Sequence, residues 1–172
     1  MKWVFWLAAS VIGYSYLGYP AWLWLRSRWS PRPVRRSSSE PSVSALMVVR
    51  NEEAAIARKL ENLLTLDYPT EKLEVVVVSD GSSDGTAAIL AEFARNPRVR
   101  AVMKAVSQGK AAGLNEAMQS ARGEVLLFTD ARQQIEPGAL RFLIENFGDS
   151  DVGAASGELM LGDPASGETG KG

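Results

Sequence analysis

The chain has 172 residues, a formal net charge of −1, and neither cysteine nor histidine. That length suits one domain with a real core, and the near-neutral charge argues against a nucleic-acid binder. The missing residue types exclude disulfides, thiol nucleophiles, Cys/His zinc sites and imidazole acid–base chemistry, so any chemistry must use carboxylates, lysine, arginine or the main chain.

No charged residue occurs from Trp3 to Leu25, and one helix of that length would reach about 34 Å, enough to span a bilayer. Trp3, Trp6, Trp22 and Trp24 cluster toward its two ends, where amphipathic rings favour an interface. The run therefore predicts a transmembrane anchor over residues 1–25. A cleaved signal peptide fits less well, because the apolar run is long, only Lys2 precedes it, and no small-residue cleavage site follows Leu25. Arg26, Arg28, Arg32, Arg35 and Arg36 come next, with no acid before Glu40. The positive-inside bias then predicts a membrane protein, single-pass in this chain, with the rest on the cytoplasmic side and the arginines against anionic lipid. Pro31, Pro33, Ser37–Ser39 and Pro41 mark residues 26–43 as a basic linker.

Beyond the linker, apolar extended stretches alternate with helical periodicity, which predicts an α/β domain over residues 44–160 with a mainly parallel open sheet and helices on both faces. Strands are expected at Ser44–Val49, Glu74–Ser79, Val99–Met103 and Glu124–Thr129, with a further one at 152–159. Helices are expected at Glu53–Leu66, Thr86–Arg95, Gly109–Ala121 (with Leu114, Met118 and Ala121 inward) and after Pro137, through Leu140, Leu143, Ile144 and Phe147. The Gly-rich tail, 161–172, predicts disorder.

The segment Val75–Thr86, VVVVSDGSSDGT, runs a fully apolar strand into a turn carrying Asp80, Ser83 and Asp84. One reading is an Asp-Gly turn with Ser83 or Asp84 capping the next helix. The other is a ligand site, since ligands of open α/β sheets bind outside the carboxyl ends of the strands. Two look-alikes fail: a calcium loop would need glutamate where Ala91 stands, and GETGKG near the end lacks phosphate-loop spacing.

Read with VVRNEE (Val48–Glu53), GKAAGLNEA (Gly109–Ala117) and LLFTDAR (Leu126–Arg132), that segment makes the chain resemble the amino-terminal half of a membrane-anchored family 2 glycosyltransferase with the GT-A fold. The resemblance implies binding of a nucleoside-diphosphate sugar, UDP-linked, for transfer to a glycan or lipid-linked acceptor at the cytoplasmic membrane face. It assigns Val48, Arg50, Glu52 and Asp80 to base and ribose, with the Asp80 carboxylate accepting a uracil imide hydrogen. Lys110 at a helix start and Arg132 then meet the diphosphate, and Asp130 holds Mg²⁺ or Mn²⁺. Here the chain departs from the family's DxD pattern, because Arg132 replaces the second acid. Glu53 is read as a favourable charge at its own helix's amino terminus. No candidate general base is found, and the resemblance implies that it lies beyond Gly172. Two further classes stay open: a noncatalytic partner module, and a dinucleotide-binding domain, for which no G-x-G-x-x-G turn is present.

Overall fold

The computed structural model describes residues 2–158, in two units that divide between Arg35 and Arg36. In the first unit, α1 (Lys2–Gly13) and α2 (Tyr19–Trp29) are separated by a π-helical turn, Tyr14–Gly18. The α-helices have 12 and 11 residues, each about 17 Å long at 1.5 Å per residue, whereas a bilayer core is about 30 Å thick. Tyr14, Ser15, Tyr16 and Tyr19 put hydroxyls in the middle of the run, and α2 ends with Arg26 and Arg28. Among the described residues no helix is long and apolar enough to cross a membrane. This corrects the expected transmembrane anchor over residues 1–25 and the single-pass, cytoplasmic-side placement built on it. Absence of charge had been read as uniform apolarity and as one regular helix, and neither holds.

The second unit is a four-stranded parallel sheet in the order β3-β2-β1-β4, formed by β1 (Val43–Val49), β2 (Leu73–Asp80), β3 (Val99–Lys104) and β4 (Val125–Phe128). Four helices accompany it: α3 (Ile56–Leu64), α4 (Thr86–Phe93), α5 (Lys110–Ser120) and α6 (Ala139–Glu145). Strand alternation sorts the core. Val43, Ala45, Met47, Val75 and Val77 pack with Ile56, Leu60, Leu63, Leu90, Leu140 and Ile144 on one face, while Leu46, Val76 and Val78 pack with Ala117 of α5 on the other. All four valines of Val75–Val78 are fully buried, each contributing roughly 1.5–3 kcal/mol. A strand buried on both faces is what a run without polar alternation requires.

Two expectations change in detail. Gly113 and Ala117 of α5 are buried and Ala121 packs against the same cluster as expected, whereas Met118 is exposed. The helix lies so close to the sheet that a Cβ on Gly113 would stand 2.8 Å from Val48 Cγ1, so small side chains are selected where large ones were expected. Gly113→Ala should therefore cost about 1–3 kcal/mol by overpacking, read as a lower denaturant midpoint at unchanged slope. No strand forms over residues 152–158. The predicted tail, 161–172, lies outside the described residues.

Part of the predicted linker is tied to the second unit. Ser37 N donates to Glu145 O (3.0 Å), Tyr68 Oη to Pro41 O (2.6 Å) and Lys72 Nζ to Glu40 O (2.8 Å), while Arg141 pairs with both Glu40 and Asp67. Residues 37–41 thus form a strap against α6 and the turn after α3.

Candidate functional site

In an open parallel sheet, ligands lodge where strands on either side of one strand are reached in opposite directions. Here that point lies between β1 and β4, because the chain leaving β1 goes first to β2 on its other side. The two ladders end unequally. β1 follows β2 to Val49–Ser79 but follows β4 only to Leu46–Phe128, with a last bond from Thr129 N to Leu46 O (3.2 Å). Ser42 and Leu46 turn their carbonyls toward β4. By strand alternation, Val48 turns its N–H and C=O the same way, past the end of that ladder. Its side chain meets Gly113 of α5.

The turns after β1 and β2 are stitched together. Asn51 adopts a positive φ of 54°, which asparagine tolerates better than most residues. Its N–H donates to Ser82 Oγ (3.2 Å), and its Oδ1 accepts from Ser83 N (2.8 Å). Glu52 N donates to Thr86 Oγ1 (2.9 Å), Glu53 N to Asp84 Oδ2 (3.1 Å), and Gly85 N to Glu53 Oε2 (2.6 Å). Asp84 Oδ1 also accepts from Thr86 N (3.0 Å), so the capping reading of this turn has substance. Glu53 differs from expectation. α3 starts only at Ile56, and the Glu53 carboxylate serves the amino end of the neighbouring α4.

Asp80 ends β2 and is buried. Its Oδ2 accepts from Ser107 Oγ (2.6 Å) and Gly109 N (2.9 Å), its Oδ1 accepts from Gln108 N (2.9 Å), and Lys104 Nζ lies 3.9 Å away. The Ser107 hydroxyl, followed by the Gln108 N–H, holds its carboxyl down to about 2. Gly81 has φ +67°, and a Cβ there would stand 2.6 Å from Ser107 N, so the two turns touch only because this residue is glycine. Three donors of this chain thus take three of the roughly four acceptor positions of the carboxylate, two at Oδ2 and one at Oδ1. Asp80 thereby fixes the loop from which α5 starts at Lys110. Ser107 and Gln108 were missed by sequence reasoning, and the only signal for them was their place just before the GK pair.

Across the crevice, β4 delivers Asp130 and Arg132. Lys110 Nζ lies 3.2 Å from Asp130 Oδ1. Arg132 Nη2 lies 2.9 Å from Glu52 Oε1, and its Nε contacts both Glu52 oxygens at 3.1 Å. Hydrogen bonding to Glu52, with a smaller attraction from Asp130, raises the Arg132 pKa further above its ordinary value. Lys110 and Arg132 are largely exposed, so water competes for both pairs and an incoming anion can take either cation. Arg50 is exposed just beyond β1. Among the described residues no cluster of three acidic side chains could hold a metal, and Asp130 is the one carboxylate at the β4 end. One carboxylate suits an ion whose other ligands are phosphate oxygens and waters.

Of the seven predicted residues, the ion pairs bring Lys110 to Asp130 and Arg132 to Glu52, Val48 lies past the end of the β1–β4 ladder, Asp80 is buried under the loop before α5, and Arg50 is exposed beyond β1. The fold is an α/β domain in which the start of α5 lies beside the switch point of a parallel sheet, the place where open α/β sheets bind their ligands. The chain belongs to glycosyl transferase family 2, whose family model matches residues 44–172. It is 37% identical over 119 residues to a beta-monoglucosyldiacylglycerol synthase of Trichormus variabilis, covering 67% of this chain and 25% of that protein. Among solved structures, a mannosyltransferase from Pyrobaculum calidifontis in complex with GDP-mannose and Mn²⁺ aligns with a TM-score of 0.69 and 31% identity, over 84% of this chain and 44% of that one. S. aureus TarS residues 1–349 in complex with UDP-GlcNAc aligns with a TM-score of 0.55 and 30% identity, over 59% of this chain and 29% of that one. These relatives and neighbours are glycosyltransferases. The chain spans about a quarter of the length of the curated relative it matches here.

Proposed function

We propose that the second unit binds a nucleoside-diphosphate sugar, UDP-linked, in the crevice between β1 and β4, as the donor for transfer to a glycan or lipid-linked acceptor. The observation that carries this reading is the meeting of Lys110 and Arg132 at the switch point, each held by a carboxylate that a diphosphate can replace. Guanidinium and ammonium groups pair with phosphate oxygens through charge-assisted hydrogen bonds. The main chain at Val48 offers a donor and an acceptor to the base, with Arg50 and Glu52 beside it toward the ribose. Asp80 holds the loop from which α5 starts, and the expected imide contact would use the remaining lone pair of its Oδ1. Asp130 would hold Mg²⁺ or Mn²⁺, an ion that supplies charge neutralisation for the leaving nucleotide. Support from relatives is that one structural neighbour contains GDP-mannose with Mn²⁺ and another UDP-GlcNAc.

Calorimetry on the 172-residue chain with UDP-glucose, UDP-GlcNAc, GDP-mannose and NAD, each with and without Mn²⁺, tests the reading. Saturable binding of a UDP-sugar, strengthened by Mn²⁺, is expected. Asp130→Asn should remove the Mn²⁺-dependent part, about 10-fold in affinity. Absence of binding to any nucleotide sugar would leave a noncatalytic partner module, and binding of NAD alone a dinucleotide domain.

A further inference from the structure

Between β4 and α6 the chain runs without helix or strand from Thr129 to Gly138, yet this stretch carries Asp130 and Arg132. Within the stretch, the Asp130–Gln133 turn is closed by one bond, Gln133 N to Asp130 O at a long 3.3 Å. Two side chains of α3, one helical turn apart, supply what the segment lacks. Asn62 pairs with Ile135 in both directions, Nδ2 to Ile135 O at 2.8 Å and Ile135 N to Oδ1 at 2.9 Å. Lys59 Nζ donates to Gln133 O at 2.6 Å. Between Asp130 and Arg132, Ala131 is buried in the main core, whereas the side chains of its two charged neighbours are exposed.

Lys59 is the unusual member. A lysine on an amphipathic helix ordinarily covers apolar surface with its stem and keeps its ammonium in water, whereas this side chain is 0% exposed. Burying an ammonium is costly unless it is compensated, and leucine would pack at such a position without that cost. Burial pulls its pKa down to about 8, against an opposing attraction from Asp130. The compensation it does receive comes from the segment that bears the crevice residues.

We infer that Lys59 and Asn62 are positioning residues that grip the main chain at Gln133 and Ile135 and thereby set where Asp130 and Arg132 stand at the crevice. The helix spacing i, i+3 puts both grips on one face of α3, and a helix is a stiffer support than the loop it holds. The part of this inference that concerns donor binding rests on the proposed function, whereas the grip on the segment does not.

Lys59→Met, which keeps stem length and removes the ammonium, and Asn62→Ala, which removes both amide contacts, test it separately. Two measurements are made on each full-length variant: amide chemical shifts and exchange protection over Asp130–Ile135, and affinity for UDP-GlcNAc by calorimetry. Shifts and lost protection confined to that segment are expected, with donor affinity weakened between about 10- and 100-fold, as misplacement of binding groups by about 1 Å produces. A melting temperature that changes little in Lys59→Met while affinity falls would separate positioning from simple stabilisation. The Arg132→Ala effect should also shrink on the Lys59→Met background, since a displaced guanidinium has less to lose. Unmoved amides in both variants would overturn the inference. If the wild-type chain binds no nucleotide sugar, the donor reading fails and the amide measurement alone decides the grip.

Discussion

Asp80→Asn is expected to lower the melting temperature and to weaken nucleotide-sugar binding between about 10- and 100-fold, chiefly through the loop that the carboxylate holds. The two oxygens of the carboxylate face different donors, Gln108 N at one and Ser107 Oγ with Gly109 N at the other. Asparagine keeps one acceptor and puts an NH₂ where the second stood. The Ser107 hydroxyl can rotate to accept from that group, but a main-chain N–H cannot, so one of the two N–H groups is left facing a donor. Relief of that opposition moves residues 107–109, and Lys110 moves with them. A melting-temperature drop on the order of 5 °C is expected from the lost charge-assisted bonds.

The same substitution has a signature in acid. Asp80 titrates near 2 in the folded chain, against an ordinary 3.8, so between those values the unfolded chain holds more protons and stability falls as pH drops. This contribution is fully present above about pH 4 and is lost on the way to pH 2. Denaturant melts across that window should show a shallower acid limb for Asp80→Asn than for the wild type. Parallel acid limbs would show that the carboxylate does not hold the loop in solution.

The second large effect is expected from Lys110→Met combined with Arg132→Met. Each single change should weaken donor binding by about 10-fold and the pair by about 100-fold or more, because each removes a charge-assisted contact to phosphate oxygens. Melting temperature should hardly move, since both cations are exposed and their pairs are screened by water. Stability and binding thus separate here, whereas Asp80→Asn moves both. Rising salt should weaken the wild type far more than the double variant. Equal salt dependence, or affinity unchanged by the double substitution, would place the diphosphate elsewhere.

Much of this architecture was legible in the residues because its signals are local. Valine runs and helical periodicity located all four strands of the sheet, and the turn chemistry at Asp80 marked the carboxyl end of β2. What escaped depends on contacts distant in sequence. Lys59 reads as an ordinary charged residue on an amphipathic helix, and only its neighbour 74 positions later, Gln133, gives it a partner. Met118 was placed inward by period alone, whereas the close approach at Gly113 reserves that face for small side chains. Beyond their place before the GK pair, Ser107 and Gln108 carry no signal until β2 and β3 lie side by side. The first unit misled for a different reason: absence of charge is a weaker property than apolarity, and the three tyrosines and one serine of Tyr14–Tyr19 separate the two.

The early end of the β1–β4 ladder bears on how substitution shapes this site over time. A base met by the N–H and C=O of Val48 is read by atoms that every residue except proline possesses in full. Mutation at that position can change packing against Gly113 yet cannot delete the reading groups. Recognition of this kind leaves almost no trace in residue identities, so relatives can diverge widely at the strand end while keeping the same hydrogen-bonding edge. Discrimination among donors then falls to the side chains around the crevice, which remain free to vary.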